Sequence, residues 1–377
     1  MNFRTELILN ADEVPPNWNS LVAKNNILLS YEFLKALQES QPKNMQNYFA
    51  AFYIENELIG GALLQYLDFR KHSIFRESST LNLNNLSMKI FASKILIVGN
   101  NLVTGQNGFY FNLDLISKTE AIKLLECSTN LVQQKIKKAS LILFKDYEKT
   151  LSKIIKNKLP KVFHSFSVQP NMILELQSNW KNFEDYLESF STKYRTRAKS
   201  AEKKLGEILK KELTLDDIKK HSKTLHQLYL QVANEADFNT FLLPINHFFT
   251  LKKYLKDDFK IFAYFENNEI ICFYTLFINY EDIDTYFLGY DKKLQKSKQL
   301  YLNMLLDMVN FGISNQKKSI IFGRTALEIK STIGAKPQEI FGIVKHQNSL
   351  LNLILKNLIP NLNPSKPWIA RNPFKKI

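Results

Sequence analysis

Cysteine is almost missing from this chain. Cys127 and Cys272 are its only two among 377 residues, too few for a disulfide framework or a cysteine-based zinc site, and the scarcity suits a reducing cytoplasm. Glycine and proline are sparse as well, at 11 each, which excludes collagen-like and linker-rich chains. No stretch reaches about 18 uninterrupted apolar residues, so no transmembrane helix is expected. Met1 to Glu6 carry charge and lead into no long apolar run with a small-residue cleavage site, so no secretory signal is expected and the protein reads as cytoplasmic. Common catalytic signatures are absent too: there is no Gly-x-Ser-x-Gly, no P-loop and no dinucleotide fingerprint. His72, His164, His221, His226, His247 and His346 are scattered, and the spacing of His221 and His226 does not stack two ligands on one helix face, so no metal site is expected.

What the chain does have is apolar bulk and positive charge. Apolar residues make up 45%, with 28 Phe and 16 Tyr, and 377 residues exceed one typical core, so two domains are expected. The formal net charge of +15 admits nucleic acid, an anionic membrane surface, or an anionic substrate or cofactor as partner. Many lysines lie on Lys/Asn-rich polar faces, and charge alone does not choose among the three.

Taken in order, residues 3–9 alternate like a strand, and Ser30 is placed to cap a helix over 31–40 with Phe33, Leu34 and Leu37 on one face. Residues 48–54 and 58–67 read as strands joined by a turn. A basic excursion spans 68–80, and strand character at 90–98 leads into a glycine-bounded loop at 99–105. A helix over 119–137, a strand over 139–144 and a short helix over 147–158 follow. The pattern restarts near 161–169 with a strand at 171–176, a helix at 180–190, a strongly basic helical run at 192–211 and helices at 216–236 and 244–255. Strands at 259–265, 270–278 and 283–290 then form a meander, and 339–345 and 349–358 read as a last strand and helix. Ala51-Phe52-Tyr53-Ile54-Glu55-Asn56-Glu57-Leu58-Ile59 lines up with Ala263-Tyr264-Phe265-Glu266-Asn267-Asn268-Glu269-Ile270-Ile271. The echo favours a duplicated α/β unit, with domains 1–165 and 166–377. Helices followed by an antiparallel meander and a strand–helix–strand crossover imply an α/β (α+β) fold with mixed sheets covered by helices.

The stretch 283–335 organises the second half. A strand over 283–290 meets a basic turn at 291–299, a helix over 300–314, a strand over 319–323 and a polar run to 335. A helix N-terminus facing a strand end could hold an anion, such as a phosphorylated cofactor, through unpaired N–H groups and the helix dipole. The same pattern also fits an ordinary βαβ crossover with a solvated lysine-rich loop. The basic run at 192–211 likewise reads as a solvated cationic helix or as a docking face for an anionic ligand. It carries few aromatics and no recognised nucleic-acid module surrounds it, so DNA is not an expected partner.

Leu29-Ser30-Tyr31-Glu32-Phe33-Leu34-Lys35-Ala36-Leu37 and Val98-Gly99-Asn100-Asn101-Leu102-Val103-Thr104-Gly105 resemble the N-terminal part of tandem GNAT-type proteins. Lys193-Tyr194-Arg195-Thr196-Arg197, Tyr286-Phe287-Leu288-Gly289-Tyr290-Asp291 and Phe322-Gly323-Arg324-Thr325-Ala326-Leu327-Glu328-Ile329-Lys330 are similar to the C-terminal part. Such chains are labelled GNAT-family N-acetyltransferases or peptidoglycan biosynthesis and recognition proteins, relatives of the Fem-type transferases that add amino acids from aminoacyl-tRNA to cell-wall precursors. The resemblance spans nearly the whole chain, and the order of its short motifs is its stronger part.

The resemblance implies two tandem GNAT-like domains, the C-terminal one carrying the cleft and the N-terminal one degenerate or substrate-positioning. It implies an acyl-CoA or acetyl-CoA donor in a splayed sheet, bound by Gly289, Asp291, Lys292, Lys293, Lys296, Ser297, Lys298 and Gln299. The glycine-rich turn usual at that place is replaced by Gln295-Lys296-Ser297-Lys298-Gln299-Leu300-Tyr301, where lysines could act as point charges. Attack by an amine calls for a base, with Glu328 and Asp237 the candidates and Asp291 third, while Tyr286 or Tyr290 could protonate a leaving thiolate. Arg195, Arg197, Arg324 and Lys330 would meet the substrate, the first two also a charged tRNA. Local alternatives stand beside these roles: Tyr290 capping the sheet, Asp291 capping a turn, and Glu328 pairing with Arg324 or Lys330. The implied function is acyl transfer to an amine on an envelope precursor. The alternatives are an aminoacyl-tRNA-dependent Fem-type transfer and a non-catalytic binding protein that retains the fold.

Overall fold

The computed structural model describes residues 2–71, 91–147, 149, 162–236, 239–362 and 367–375. The basic excursion beyond residue 71 and the helix expected beyond Tyr147 lie outside the described residues. Two compact units form: residues 1–169, 236–250 and 339–365 in one, and 170–235, 251–338 and 366–377 in the other.

The first unit opens with β1 (Phe3–Ile8), α1 (Trp18–Leu21), α2 (Tyr31–Glu39), β2 (Met45–Ile54), β3 (Glu57–Asp68), β4 (Lys94–Val98), β5 (Phe109–Phe111), α3 (Lys118–Lys135), β6 (Leu141–Tyr147) and β7 (His164–Ser167). Ser30 caps α2, its Oγ accepting from the Phe33 N–H at 3.2 Å, and Phe33, Leu34 and Leu37 are buried. Ser117 and Glu120 make a reciprocal capping box at the start of α3.

The second unit comprises β8 (Asn171–Glu175), α4 (Phe183–Glu188), α5 (Thr192–Leu205), β9 (Leu209–Glu212), α6 (Leu215–Ala233), the latter part of α7 (His247–Leu255), β10 (Phe259–Glu266), β11 (Glu269–Asn279), β12 (Asp282–Tyr290), α8 (Lys292–Lys298), α9 (Leu300–Ser314), β13 (Ser319–Gly323), α10 (Leu327–Ser331) and β14 (Lys336–Gln338). The chain then returns to the first unit with β15 (Phe341–His346) and α11 (Ser349–Leu362).

Two mixed sheets result, ordered β1-β2-β3-β4-β6-β15-β7, with β5 also on β3, and β14-β8-β13-β12-β11-β10-β9. In each, an antiparallel meander ends on one parallel pair, β4 with β6 and β12 with β13. The internal echo is structural as well. The β2–β3 and β10–β11 hairpins are superposable by sequence, and their register shifts at Phe52/Tyr53 and Tyr264/Phe265 fall at aligned positions. The second hairpin turns through Asn267 and Asn268, both at positive φ, as a two-residue loop requires.

Three expectations change. The last strand, read as part of the second half, pairs with β6 and β7 and so belongs to the first sheet; burying its apolar residues there completes that sheet. The basic helix ends at Leu205, because Gly206 at φ 75° breaks it, and residues 209–212 become an exposed edge strand. Residues 292–298, read as a turn, form the helix α8.

In the second unit, α9 lays Leu300, Met304, Leu305, Val309 and Ile313 on the sheet over Ile283, Ile320 and Cys272. A polar cluster lies at the edge of this core. Asp307 accepts from the Tyr264 hydroxyl at 2.5 Å and the Tyr274 hydroxyl at 3.2 Å, and pairs with Lys210 at 2.6 Å. The carboxylate is thereby fully supplied with donors. The C-terminal residues run along the same unit as a strap: Ser191 N donates to Pro373 O, and Lys375 N to Ser189 O. Phe374 stacks on Trp180 at 5.7 Å and meets Phe190 edge-on at 5.6 Å. A Cβ on Gly334 would lie 2.4 Å from its ring. Phe374→Ala should therefore destabilise the second unit by about 2–3 kcal/mol, measured by denaturant unfolding, with little change for the exposed Lys375→Ala.

Candidate functional site

The parallel strands β12 and β13 part company early. They pair at Asp282 with Ser319, Ile283 with Ile320 and Asp284 with Ile321, and nowhere beyond. Past that fork the chain from Thr285 to Tyr290 keeps β11 on one side and, among the described residues, pairs with no strand on the other. The Thr285 hydroxyl, donating to Ile321 O at 3.1 Å, marks the last contact. In the first sheet the corresponding pair stays joined to the end of β4, through Val98 and Phe144. There Lys145 and Asp146 form a buried ion pair, with Lys145 Nζ also donating to Asn100 O at 2.8 Å and Asp146 accepting from Gly105 N at 2.8 Å. The glycine-bounded loop is thus bound down where the second sheet stands open.

A bulge sits in the open part of β12. Tyr274 pairs with Leu288 but Leu276 with Thr285, so Tyr286 and Phe287 together oppose Thr275. Both aromatic rings consequently lie on one face, 4.6 Å apart, Tyr286 against Phe277 at 4.8 Å and Phe287 against Tyr229 of α6 at 5.4 Å. Thr275, fully buried, holds the bulge by donating its hydroxyl to Phe287 O at 2.7 Å. Leu288 and Tyr290 pack instead with the α9 core, Tyr290 at 6.4 Å from Tyr301. The two candidate tyrosines therefore lie on opposite faces of the sheet. Burial raises the pKa of both phenols, Tyr286 strongly and Tyr290 with a lesser contribution from Glu235, so each stays protonated over the neutral range.

Gly289 serves close packing: a Cβ there would come within 2.5 Å of the Leu228 and Tyr229 backbone of α6. Asp291 caps α8, accepting from Lys293 N at 2.8 Å. Lys292 pairs with Glu235 at 2.5 Å and Lys298 with Glu266 at 2.6 Å. Lys293, Lys296 and Ser297 are exposed, and among the described residues no carboxylate pairs with either lysine. Gln299, at φ 51°, is the kink between α8 and α9. The Asn303 amide ties the start of α9 to α5 by donating to Ala201 O at 2.9 Å and Lys298 O at 3.0 Å. On α5, Tyr194, Ala198, Ala201 and Leu205 face the core; Arg195 is half-buried and Arg197 exposed on the opposite side.

After β13 the chain bends through Gly323, Thr325 and Ala326, all at positive φ. Lys330 stabilises that bend from within. Its buried ammonium donates to the carbonyls of Phe322 at 2.6 Å, Arg324 at 3.0 Å and Gly323 at 3.3 Å. Arg324 is half-buried in the same bend. Glu328 pairs with neither Arg324 nor Lys330 but with Arg371 of the C-terminal strap, at 3.0 Å from Nε and 2.6 Å from Nη2. Asp237 lies outside the described residues. Because β12 and β13 run parallel, Tyr290, Asp291 and α8 leave the fork at the same end of the sheet as Gly323 and the Lys330-held bend. Two site residues escaped the reading of the sequence: Thr275 and the fully buried Asp284, which accepts from Asn279 Nδ2 at 2.9 Å at the fork itself. Thr275 carried a signal, a threonine inside an apolar strand run, whereas Asp284 follows Glu281 and Asp282 and reads as one more surface carboxylate.

No protein-family model matches the chain, and no curated protein matches it either. Solved structures do. FemX aligns at a TM-score of 0.58 with 12% identity, over 94% of this chain and 100% of that one. A tandem GNAT protein from the clavulanic acid biosynthesis pathway aligns at 0.51 with 9% identity, over 90% of this chain and 98% of that one. The chain has the tandem GNAT fold. Within it, no group of three or more His, Cys, Asp or Glu among the described residues could hold a metal ion, and no described helix is long and apolar enough to cross a membrane.

Burial pulls the Lys330 ammonium down to about 7. In the unfolded chain lysine titrates near 10.4, so between these values the unfolded state binds more protons and stability rises with pH. Unfolding free energy measured from about pH 7 to 10 should show this rise, and Lys330→Met should flatten it while lowering stability at pH 9, where the neutral amine's two N–H groups still serve two of the three carbonyls.

Proposed function

We propose that this tandem GNAT-fold protein transfers an acyl group from an activated donor to an amine, at the fork between β12 and β13. The observation that carries the proposal is the fork itself: β12 leaves β13 after Asp284 and runs on to Tyr290 with a bulge in its middle. An extended donor carrying amides can lie along such an edge and complete its hydrogen bonds, as an added strand would. The bulge leaves backbone out of register with β11, able to point an N–H at a developing oxyanion.

The chemistry asked of the protein is modest. A neutral amine attacks the thioester or ester carbonyl, a C–N bond forms, the C–S or C–O bond breaks as the leaving group takes a proton from a phenol, and the proton lost by the nitrogen returns to that phenolate. Positioning in the fork removes most of the entropic barrier. Tyr290, protonated and on the α9 face, is the proton donor in this reading; Tyr286, enclosed by Phe277, Phe259 and Phe287, serves to shape the bulge. Glu328 is committed to Arg371, so it positions the strap rather than acting as base. For a CoA donor, the exposed Lys293 and Lys296 and the Ser297 hydroxyl suit the phosphates, whereas Lys292 and Lys298 are held by carboxylates.

A second reading has an observation of its own. Between β12 and α9, where a glycine turn would let a pyrophosphate approach, stands the helix α8. This favours an aminoacyl ester donor, whose nucleic-acid part would meet Arg195, Arg197 and the exposed lysines of α5.

Calorimetry distinguishes the donors. Acetyl-CoA should bind, and Lys293→Ala with Lys296→Ala should weaken it by about tenfold, as expected for two exposed phosphate contacts, while Lys292→Ala changes little. If acetyl-CoA fails and charged tRNA binds with steep salt dependence, the aminoacyl route replaces it; failure of both leaves a binding protein without chemistry. With a working donor, Tyr290→Phe should lower kcat by about tenfold to a hundredfold with KM nearly unchanged, and an equal loss in Tyr286→Phe alone would reverse the two roles.

A further inference from the structure

The strap at residues 367–375 fastens two parts of the second unit together. Toward the loop between α4 and α5, Ser191 N donates to Pro373 O at 2.8 Å and Lys375 N donates to Ser189 O at 2.9 Å. Phe190 and Phe374 form an antiparallel bridge there, and the Phe374 ring lies against Trp180 and Phe190. Toward α10, Arg371 N donates to Ser331 Oγ at 2.9 Å, while its guanidinium holds Glu328 Oε1 through Nε and Nη2. The fully buried Tyr186 of α4 donates to Ile333 O at 2.7 Å, just beyond α10.

The helix α10 links this strap to the end of β13. Leu327–Ser331 is five residues long, and its N-cap, Ala326, makes no side-chain hydrogen bond. So short a helix does not hold its own place, and its position comes from what its side chains grip. Glu328 grips the strap. Lys330, two residues on, grips the carbonyls of Phe322, Gly323 and Arg324, where β13 ends after its parting from β12. A displacement of α10 at Arg371 therefore reaches the end of β13 through the same turn of helix. The two links differ in exposure. Lys330 is buried, whereas the Arg371 and Glu328 side chains are 35% and 50% exposed, and an ion pair that open to water adds little to global stability. Its consequence is local, in where α10 sits. We propose that Arg371 is a positioning residue for transfer at the fork, acting through Glu328, α10 and Lys330 on the end of β13. The inference rests on the acyl-transfer reading and asks no chemistry of Arg371 itself.

The test compares Arg371→Ala, Arg371→Lys, Glu328→Ala and the double alanine variant, each in the full chain. Amide hydrogen exchange over 322–335, read by mass spectrometry, should quicken by about twofold to fivefold in Arg371→Ala, with the denaturant midpoint nearly unchanged. In transfer to a panel of primary amines from acetyl-CoA, or from charged tRNA if the wild-type chain uses that, kcat should fall by about tenfold. Arg371→Lys, which keeps the charge, should recover part of both losses. The double variant should be no slower than either single one, because the two side chains act as one link. Unchanged exchange in Arg371→Ala overturns the proposal whatever the assays show, as does an unchanged kcat where exchange has quickened. A midpoint that falls in step with kcat marks general destabilisation and overturns it too. A much larger loss in Glu328→Ala than in Arg371→Ala would make Glu328 the base instead. Absence of transfer by the wild-type chain with either donor overturns the acyl-transfer reading and the positioning role with it, and the exchange measurement then still reports whether the strap fixes α10.

Discussion

The second unit depends on where a backbone ladder stops. Strands β12 and β13 share three register pairs and then separate, although a strand buried in a sheet ordinarily pairs on both sides because its N–H and C=O groups are costly to leave alone. Several surroundings hold the separation in place. Thr275 fixes the bulge, the Gly289 backbone lies directly against α6, and Lys330 gathers three carbonyls to bend the chain away after β13. None of these is a surface interaction. Each is buried, so the opening is built into the core and does not rely on a mobile loop.

The two sheets show what the same arrangement does with and without this opening. Their hairpins match in sequence, turn position and bulge, and each ends its meander on a parallel pair. In the first sheet that pair remains joined, and the buried Lys145–Asp146 pair binds the glycine-bounded loop across its end. A buried ion pair costs desolvation that only close geometry and extra hydrogen bonds offset; here the loop carbonyls and an N–H supply them. Among the described residues, the parallel pair opens into a fork in the second sheet and not in the first.

The positive charge is unevenly committed. Lys210, Lys252, Lys260, Lys292 and Lys298 meet carboxylates, and Lys330 is spent on backbone. The remaining cations on α5 and α8 face solvent, where salt screens them beyond about 10 Å.

Much of the architecture could be read from the residues. The period-two runs, the Ser30 cap, the duplicated hairpin and the strand–helix–strand crossover each follow from local rules, because alternation and capping act within a few residues. The motif order at Tyr286 to Asp291 and at Phe322 to Lys330 pointed to the two strands that part in the second sheet. What local rules do not contain is partnership over distance. Nothing near residue 341 says that its strand completes the first sheet, and nothing near Glu328 says that its partner is Arg371. That Tyr286 and Tyr290 fall on opposite faces depends on one extra residue at the bulge, which reverses the alternation that sequence alone would assume. The sequence by itself determined the elements and their order; the tertiary structure decided where β12 and β13 part, since that depends on how strands from distant parts of the chain meet.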